Sequence, residues 1–247
     1  MNDWVKATVV GKHQWAEGLF SLQFEAPVAD HVAGQYIKVA LDIEGERIGR
    51  PYSLVNAPGE HPLEIYFNEI PSGPLTPPLS ALNPGDSLWL TSTASGIFTL
   101  ETVEPAKTLW LLATGTALGV YLSILRTEDP WKRFEHVVLV HGVRQTSDLA
   151  YGETLDAIAK QHEGRFTFIP LVSREACELN LCGRITDRLN DGQLEARFGE
   201  PIDPATSHVM LCGNSAMIKD AKQILEARGL ARHRRHEPGQ YTTEQYH

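Results

Sequence analysis

The stretch TLWLLATGTALGVYLSIL, residues 108–125, carries no charged side chain, and its length approaches the ~20 residues that cross a bilayer. Thr114, Gly115, Thr116 and Gly119 interrupt it at the centre. A buried strand, a glycine turn and a buried helix therefore explain it better than a membrane span. Taken so, it opens a βαβ unit, and the rest of the chain can be placed around it.

Downstream, apolar strands alternate with helical stretches. HVVLVHG (136–142), FTFIPLV (166–172) and HVMLCG (208–213) are the further strands. GETLDAIAKQHEG has helical apolar spacing and ends at Gly164. SAMIKDAKQILEARG puts Met217, Ile218, Ala221, Ile224 and Leu225 on one face before Gly229. This is the signature of a doubly wound parallel sheet. Upstream the texture differs: WVKATVVGKHQ, LFSLQFEAP, GQYIKVAL, PYSLV, LEIYFNEI and DSLWLTST recur between Gly, Pro and Asn turns, and half a dozen such strands make a barrel or sandwich. Only TPPLSALNPGD looks briefly helical there. The expected organisation is two domains, an antiparallel β-barrel over residues 1–100 and an α/β Rossmann-like domain over residues 101–247.

Composition agrees with a folded chain. The 247 residues are 42% hydrophobic and 21% charged, enough apolar material for two cores. A net charge of −9 argues against nucleic acid or an anionic membrane as the main partner. The densest basic run, ARHRRHEPGQ (231–240), is either a solvated helix end or a docking patch. Cys177, Cys182 and Cys212 are too few for a disulfide framework, and the CELNLC spacing is a poor zinc signature, so reduced thiols and a cytoplasmic location are expected. The opening MNDWVKATVVGKHQWAEG has no apolar core behind a basic region and is not expected to be a signal peptide.

The chemistry sits at strand ends. Where 108–114 runs through Gly115 into a helix, the helix start offers unpaired N–H groups and a positive dipole end, which suits a pyrophosphate, although the G-x-G-x-x-G spacing is missing. An NAD-preferring site tends to place an acid after the second strand. Here that strand ends VHGVR, with Arg144; the third ends LVSRE, with Ser173 and Arg174; and Arg184 follows in LCGRI. Guanidinium groups there suit a ribose 2′-phosphate, so NADP is the favoured nucleotide. Cys212 and Gly213, in MLCGN, end the fourth strand, either as a ligand-facing pair or as a small core thiol. In the first domain, RIGRPYSLVNAP (47–58), with YFN (66–68) and SGPLTPP (72–78), is either an ordinary strand and turn or an FAD site, in which Arg50 would neutralise the pyrophosphate, Tyr52 stack on the isoalloxazine, Ser53 hydrogen-bond near its reactive nitrogen, and the loop around Gly73 and Thr76 add backbone N–H groups.

Taken in order, Arg50-x-Tyr52-Ser53, GPLT, ATGTALG, VSRE, MLCGN and the RRHEPG tail resemble the bacterial ferredoxin/flavodoxin–NADP+ reductases over essentially the whole chain. The resemblance implies FAD contacts at Arg50, Tyr52, Ser53, Tyr66, Asn68, Gly73, Thr76 and Thr116, and at the terminal pair Tyr246 and His247, which would cover the flavin. It implies NADP contacts at Gly115, Arg144, Ser173, Arg174 and Arg184, with Ser53 and Cys212 at the reacting centre. Val120 departs from a frequent proline, and His247 stands in place of a tryptophan that would stack on adenine. The activity so implied passes electrons from NADPH through FAD to a one-electron carrier, ferredoxin or flavodoxin, by a monomer with neither metal, membrane nor nucleic acid. Such carriers are acidic, so a local basic face is needed, with Arg126, Lys132, Arg133 and the 232–235 cluster as candidates. Two alternatives stand beside it: an NADH-linked reductase component of an oxygenase, and a non-catalytic flavin redox sensor.

Overall fold

The computed structural model describes residues 3–101, 103–176, 181–234 and 236–246. Strands β1 (Trp4–Ala16), β2 (Leu19–Glu25), β3 (Tyr36–Ile43), β4 (Glu46–Ser53), β5 (Leu63–Asn68) and β6 (Ser87–Thr91) pair antiparallel in the order β4-β3-β6-β1-β2-β5. The two outer strands meet as well. A Leu54–Ile65 bridge and a 3.0 Å bond from Val55 N–H to the Glu64 carbonyl carry β4 onto β5 and close the barrel. Alternation does the rest: Val9, Leu22, Phe24, Ile37, Val39 and Leu90 turn inward with no exposure. The short helix α1 (Thr76–Ala81) follows β5.

Beyond β6 the chain builds the second sheet. The 108–125 stretch is β7 (Thr108–Thr114), one 3-10 turn at Gly115–Ala117 and α2 (Leu118–Leu125). Then come α3 (Asp129–Arg133), β8 (His136–Val143), α4 (Gly152–Gln161), β9 (Phe166–Val172), β10 (Leu181–Cys182), α5 (Ile185–Asn190), α6 (Gln193–Phe198), β11 (Ser207–Asn214), α7 (Ser215–Ala227) and β12 (Tyr241–Tyr246). Every pairing in the order β10-β9-β8-β7-β11-β12 is parallel. Its central strands read as continuous apolar runs because helices cover both faces. Trp110, Leu112, Val138, Val140, Val209 and Leu211 are wholly buried there.

The chain divides into two compact units. One comprises the chain to Thr99 together with Gly119–Thr127; the other comprises Leu100–Leu118 and the chain from Glu128 onward. Most of α2 thus packs with the barrel. A Cβ on Gly119 would sit 3.3 Å from Val55 Cγ2, the Ser123 hydroxyl donates to the Asn56 carbonyl, and Arg126 pairs with Glu60 at 2.9 Å. Among the described residues no helix is long and apolar enough to cross a membrane.

Two strands escape the sequence pattern. β10 is two residues long, and β12 (YTTEQY) is mostly polar, taking its extended form from in-register pairing with β11. The expectation of three reduced thiols also fails. Cys182, exposed on the outermost strand, is disulfide-bonded, Cys212 is a free, buried thiol, and Cys177 lies outside the described residues.

Candidate functional site

Open parallel sheets bind ligands outside the carboxyl ends of their strands. At that end the register lines up Pro170, His141, Ala113, Cys212 and Glu244 in one row across β9, β8, β7, β11 and β12. In-register neighbours of a parallel sheet point to the same face, so these side chains share one side of it. One residue further along β11, Gly213 has φ +123°, a region closed to ordinary L-residues, and a Cβ there would lie 2.2 Å from Thr114 Oγ1. The two strand ends can meet only because this residue is glycine. Across the contact, Asn214 N–H donates to Thr114 Oγ1 at 2.8 Å.

Three cations gather at the other side of the same edge. The chain exits from β8, β9 and β10 stay laced together past the sheet. Ser173 N–H and Oγ both donate to the Val143 carbonyl at 3.1 Å, Arg174 N–H donates to the Arg144 carbonyl at 2.9 Å, and Gly183 N–H donates to the Val172 carbonyl at 2.9 Å. Arg144, Arg174 and Arg184 therefore follow three adjacent strand ends. All three are exposed, and none has a carboxylate partner among the described residues. Glu175 beside them is already occupied: its carboxylate accepts from Thr146 N–H at 3.0 Å and Thr146 Oγ1 at 2.7 Å, which holds it below the usual carboxylate range.

At the β11–β12 side burial disfavours charge. Burial, with Glu244 nearby, pushes the Cys212 thiol well up, and the thiol shares a hydrogen bond with Tyr246. Glu244 is itself raised to about 7 by burial, and its Oε2 has no partner among the described residues. Sequence reasoning missed Glu244, because an acid in a polar hexapeptide near the chain end reads as solvated. Only the pairing with β11 reveals it.

A carboxyl raised from its ordinary ~4.3 binds more protons folded than unfolded between that value and 7, so it removes stability as pH climbs through the window. Glu244→Gln is therefore expected to be about 2 kcal/mol more stable than the parent at pH 8, after discounting for partial exposure, and no more stable at pH 4. Urea unfolding of both proteins at the two pH values checks this; equal midpoints at pH 8 would refute the buried charge.

In the barrel unit, Arg50 and Tyr52 lie on one face of β4, and the Leu54–Ile65 bridge sets Ser53 opposite Tyr66 and Tyr52 opposite Phe67. The Tyr52 ring stands edge-on to Phe67 at 6.0 Å, fixed in angle, and burial pushes its hydroxyl up to about 12. The Arg50 guanidinium is exposed; Nη1 donates to the Gly49 carbonyl at 2.8 Å. A groove of about 540 Å3 joins Arg50, Lys38 and Pro51 to Pro74 of the 72–78 loop. That loop is closed from inside: Ile70 N–H donates to Thr76 Oγ1 at 2.8 Å, and Gly73 N–H donates to the Ile70 carbonyl at 2.8 Å. The Thr76 side chain is thus spent on the loop. Tyr66 is buried, while Asn68 is exposed at the end of β5.

Of the remaining expected residues, Gly115 and Thr116 form the half-buried turn after β7, and Val120 is buried on α2. Tyr246 ends β12. His247 lies outside the described residues, as does Arg235. The expected basic docking face is largely neutralised, since Arg126 pairs with Glu60, Lys132 with Glu128, Arg133 with Asp129 and Arg234 with Glu237.

Comparison with known proteins agrees with this geometry. Residues 111–223 match the oxidoreductase NAD-binding domain family. The flavodoxin/ferredoxin–NADP reductase of Escherichia coli (strain K12) is 45% identical over 222 residues, 90% of each chain. The ferredoxin–NADP reductase A of Sorangium cellulosum is 36% identical over 250 residues, 98% of this chain and 89% of its own. Among solved structures, a ferredoxin NADP+ reductase from Neisseria gonorrhoeae with bound FAD and NADP superposes with a TM-score of 0.93 at 28% identity, over 99% of both chains.

Proposed function

The chain belongs to the flavodoxin/ferredoxin–NADP reductase family, and we propose that it passes electrons from NADPH, through FAD held on the barrel unit, to ferredoxin or flavodoxin. The observation that carries the nucleotide preference is the trio of guanidinium groups at Arg144, Arg174 and Arg184, none of which has a carboxylate partner among the described residues. In a protein of net charge −9, three exposed cations at the carboxyl edge of a parallel sheet suit a dianion, and the ribose 2′-phosphate is the part of NADPH that NADH lacks. Ser173 stands among them. Gly115 opens the turn whose free N–H groups face the pyrophosphate.

The barrel residues fit FAD. The exposed Arg50 guanidinium suits its pyrophosphate, together with the Thr76 N–H at the start of α1, where Pro77 and Pro78 carry none, and the rigid edge-on Tyr52 offers a fixed ring against an isoalloxazine. Ser53 and Tyr66 frame the same spot; Asn68, Gly73, the Thr76 backbone and the Thr116 side chain complete the assignment, which leaves the Thr116 N–H to the nicotinamide dinucleotide. FAD, when bound, supplies the exchange between electron pairs and single electrons. The protein's part is position and polarity. Cys212, held neutral by burial, and Glu244, raised to about 7, give the nicotinamide a floor of low charge, and Tyr246 fixes the thiol. This assigns residues 1–100 to FAD and 101–247 to NADP, in a monomer that acts in the cytoplasm.

Anaerobic titration of the FAD-loaded protein tests the reading. Stoichiometric NADPH should bleach the visible flavin band at once, while NADH bleaches it at least about tenfold more slowly, since one charge-assisted hydrogen bond is worth ~1.5 kcal/mol. Equal rates would transfer the protein to the NADH-linked reductases, and a protein that binds no flavin would end the proposal.

A further inference from the structure

His141 is the one polar member of the sheet-edge row to which neither nucleotide nor flavin binding gives a role. It sits on the central strand β8 with no exposure, and burial lowers it to about 4, so it is neutral at any working pH. Its Nε2 lies 2.9 Å from the Gly115 carbonyl. A carbonyl only accepts, so the single ring proton must reside on Nε2, which leaves Nδ1 a bare acceptor, buried and without a partner among the described residues. An orphaned acceptor in a core costs about 1–3 kcal/mol. An apolar residue would fill the position without that cost, so what the Nε2–H does for Gly115 is the place to look.

Gly115 has φ +55° and opens the turn into α2. In a trans peptide the C=O and the following N–H point in opposite directions. Holding the Gly115 carbonyl inward toward His141 therefore aims the Thr116 N–H outward, past the carboxyl ends of the strands. The other flank of the turn is held by the Asn214 N–H bond to Thr114 Oγ1. Within the turn the Gly115 carbonyl also accepts from Leu118 N–H, and of the two bonds that reach the turn from neighbouring strands, among the described residues, His141 supplies the one side-chain donor.

We propose that His141 is a positioning residue for the dinucleotide: by gripping the Gly115 carbonyl it presets the 115–116 peptide so that the Thr116 N–H meets the pyrophosphate. This rests on the NADPH reading of the same edge. The role is local to the pyrophosphate, since the 2′-phosphate is assigned to arginines beyond β8, β9 and β10.

Two ligands separate the halves of the site: NADP+, which carries the pyrophosphate, and adenosine 2′-monophosphate, which does not. Titrated against the FAD-loaded protein, His141→Phe, which keeps the ring volume and loses the donor, should bind NADP+ roughly five- to tenfold more weakly, the worth of one hydrogen bond. It should bind adenosine 2′-monophosphate as the parent does. In turnover KM for NADPH should rise by the same factor with kcat held within about twofold. His141→Gln, which restores an N–H donor, should recover most of the NADP+ affinity, and it stands in if the phenylalanine variant does not fold. Unchanged NADP+ binding by His141→Phe would overturn the proposal. So would equal weakening of both ligands, which would mark general damage to the sheet edge. A parent protein that binds neither ligand would instead overturn the NADPH reading on which the proposal stands.

Discussion

Replacing Arg174 and Arg184 together by alanine is expected to lower kcat/KM for NADPH about a hundredfold, at ~1.5 kcal/mol for each charge-assisted hydrogen bond removed, while kcat/KM for NADH stays within about twofold. The asymmetry between the nucleotides is what identifies the phosphate. Both side chains are exposed and have no carboxylate partner among the described residues, so their loss leaves no buried charge behind and disturbs no ion pair among those residues. Arg184 precedes α5 as its N-cap residue without any side-chain capping bond, so the alanine removes no cap. Steady-state kinetics with both nucleotides decides the matter. A parallel fall for NADPH and NADH would mean that these arginines support the strand ends rather than read the 2′-phosphate. Salt should weaken the parent's NADPH preference in the same direction, because exposed cations are screened.

Gly213→Ala is the second large effect expected, and it acts on stability. The added Cβ would lie 2.2 Å from Thr114 Oγ1 and 2.9 Å from the Thr114 carbonyl oxygen, in a backbone conformation, φ +123°, that L-residues avoid. The threonine cannot step aside. Its hydroxyl accepts from Asn214 N–H, and Asn214 Oδ1 in turn caps α7 through Ala216 N–H at 2.9 Å and Met217 N–H at 3.2 Å. Strain, overpacking and a weakened cap together should cost about 3–5 kcal/mol. Gly164→Ala makes a fair control. Its φ is +77° but nothing lies within 4 Å of the new atom, so only the backbone strain of about 1 kcal/mol remains. Denaturant midpoints for the two variants isolate the clash; equal losses would show that the β7–β11 contact is loose.

Much of this architecture is legible in the chain because local signals agree with the final packing. The period-two runs before residue 100 become barrel strands, and the uncharged 108–125 stretch becomes strand, turn and helix, since Gly115 and the apolar flanks leave few other options. The arginines after successive strands are legible for the same reason: strand ends are easy to locate, and the carboxyl edge is where ligands sit. What escapes is set by pairing between segments far apart in sequence. YTTEQY has no apolar alternation, and only its alignment with β11 makes Glu244 a buried acid beside Cys212. His141 hides inside an apolar run, where a single histidine reads as part of a core strand until its register with Ala113 and its bond to Gly115 are known. The neutralisation of Arg126, Lys132 and Arg133 is likewise a matter of partners that composition does not name.

The helix that follows β7 gives the barrel unit a late component. Residues 119–127 close over Val55 and Asn56, so the β-barrel is incomplete when its sixth strand has been made. On a ribosome, the first unit gains this segment only after the first strand of the second sheet has been made. A fragment cut after residue 100 would carry all six barrel strands yet leave the Asn56 carbonyl without its serine donor and Glu60 without Arg126. The chain is threaded through both units, and a gene split at the apparent boundary would sever residues 119–127 from the barrel unit they pack with.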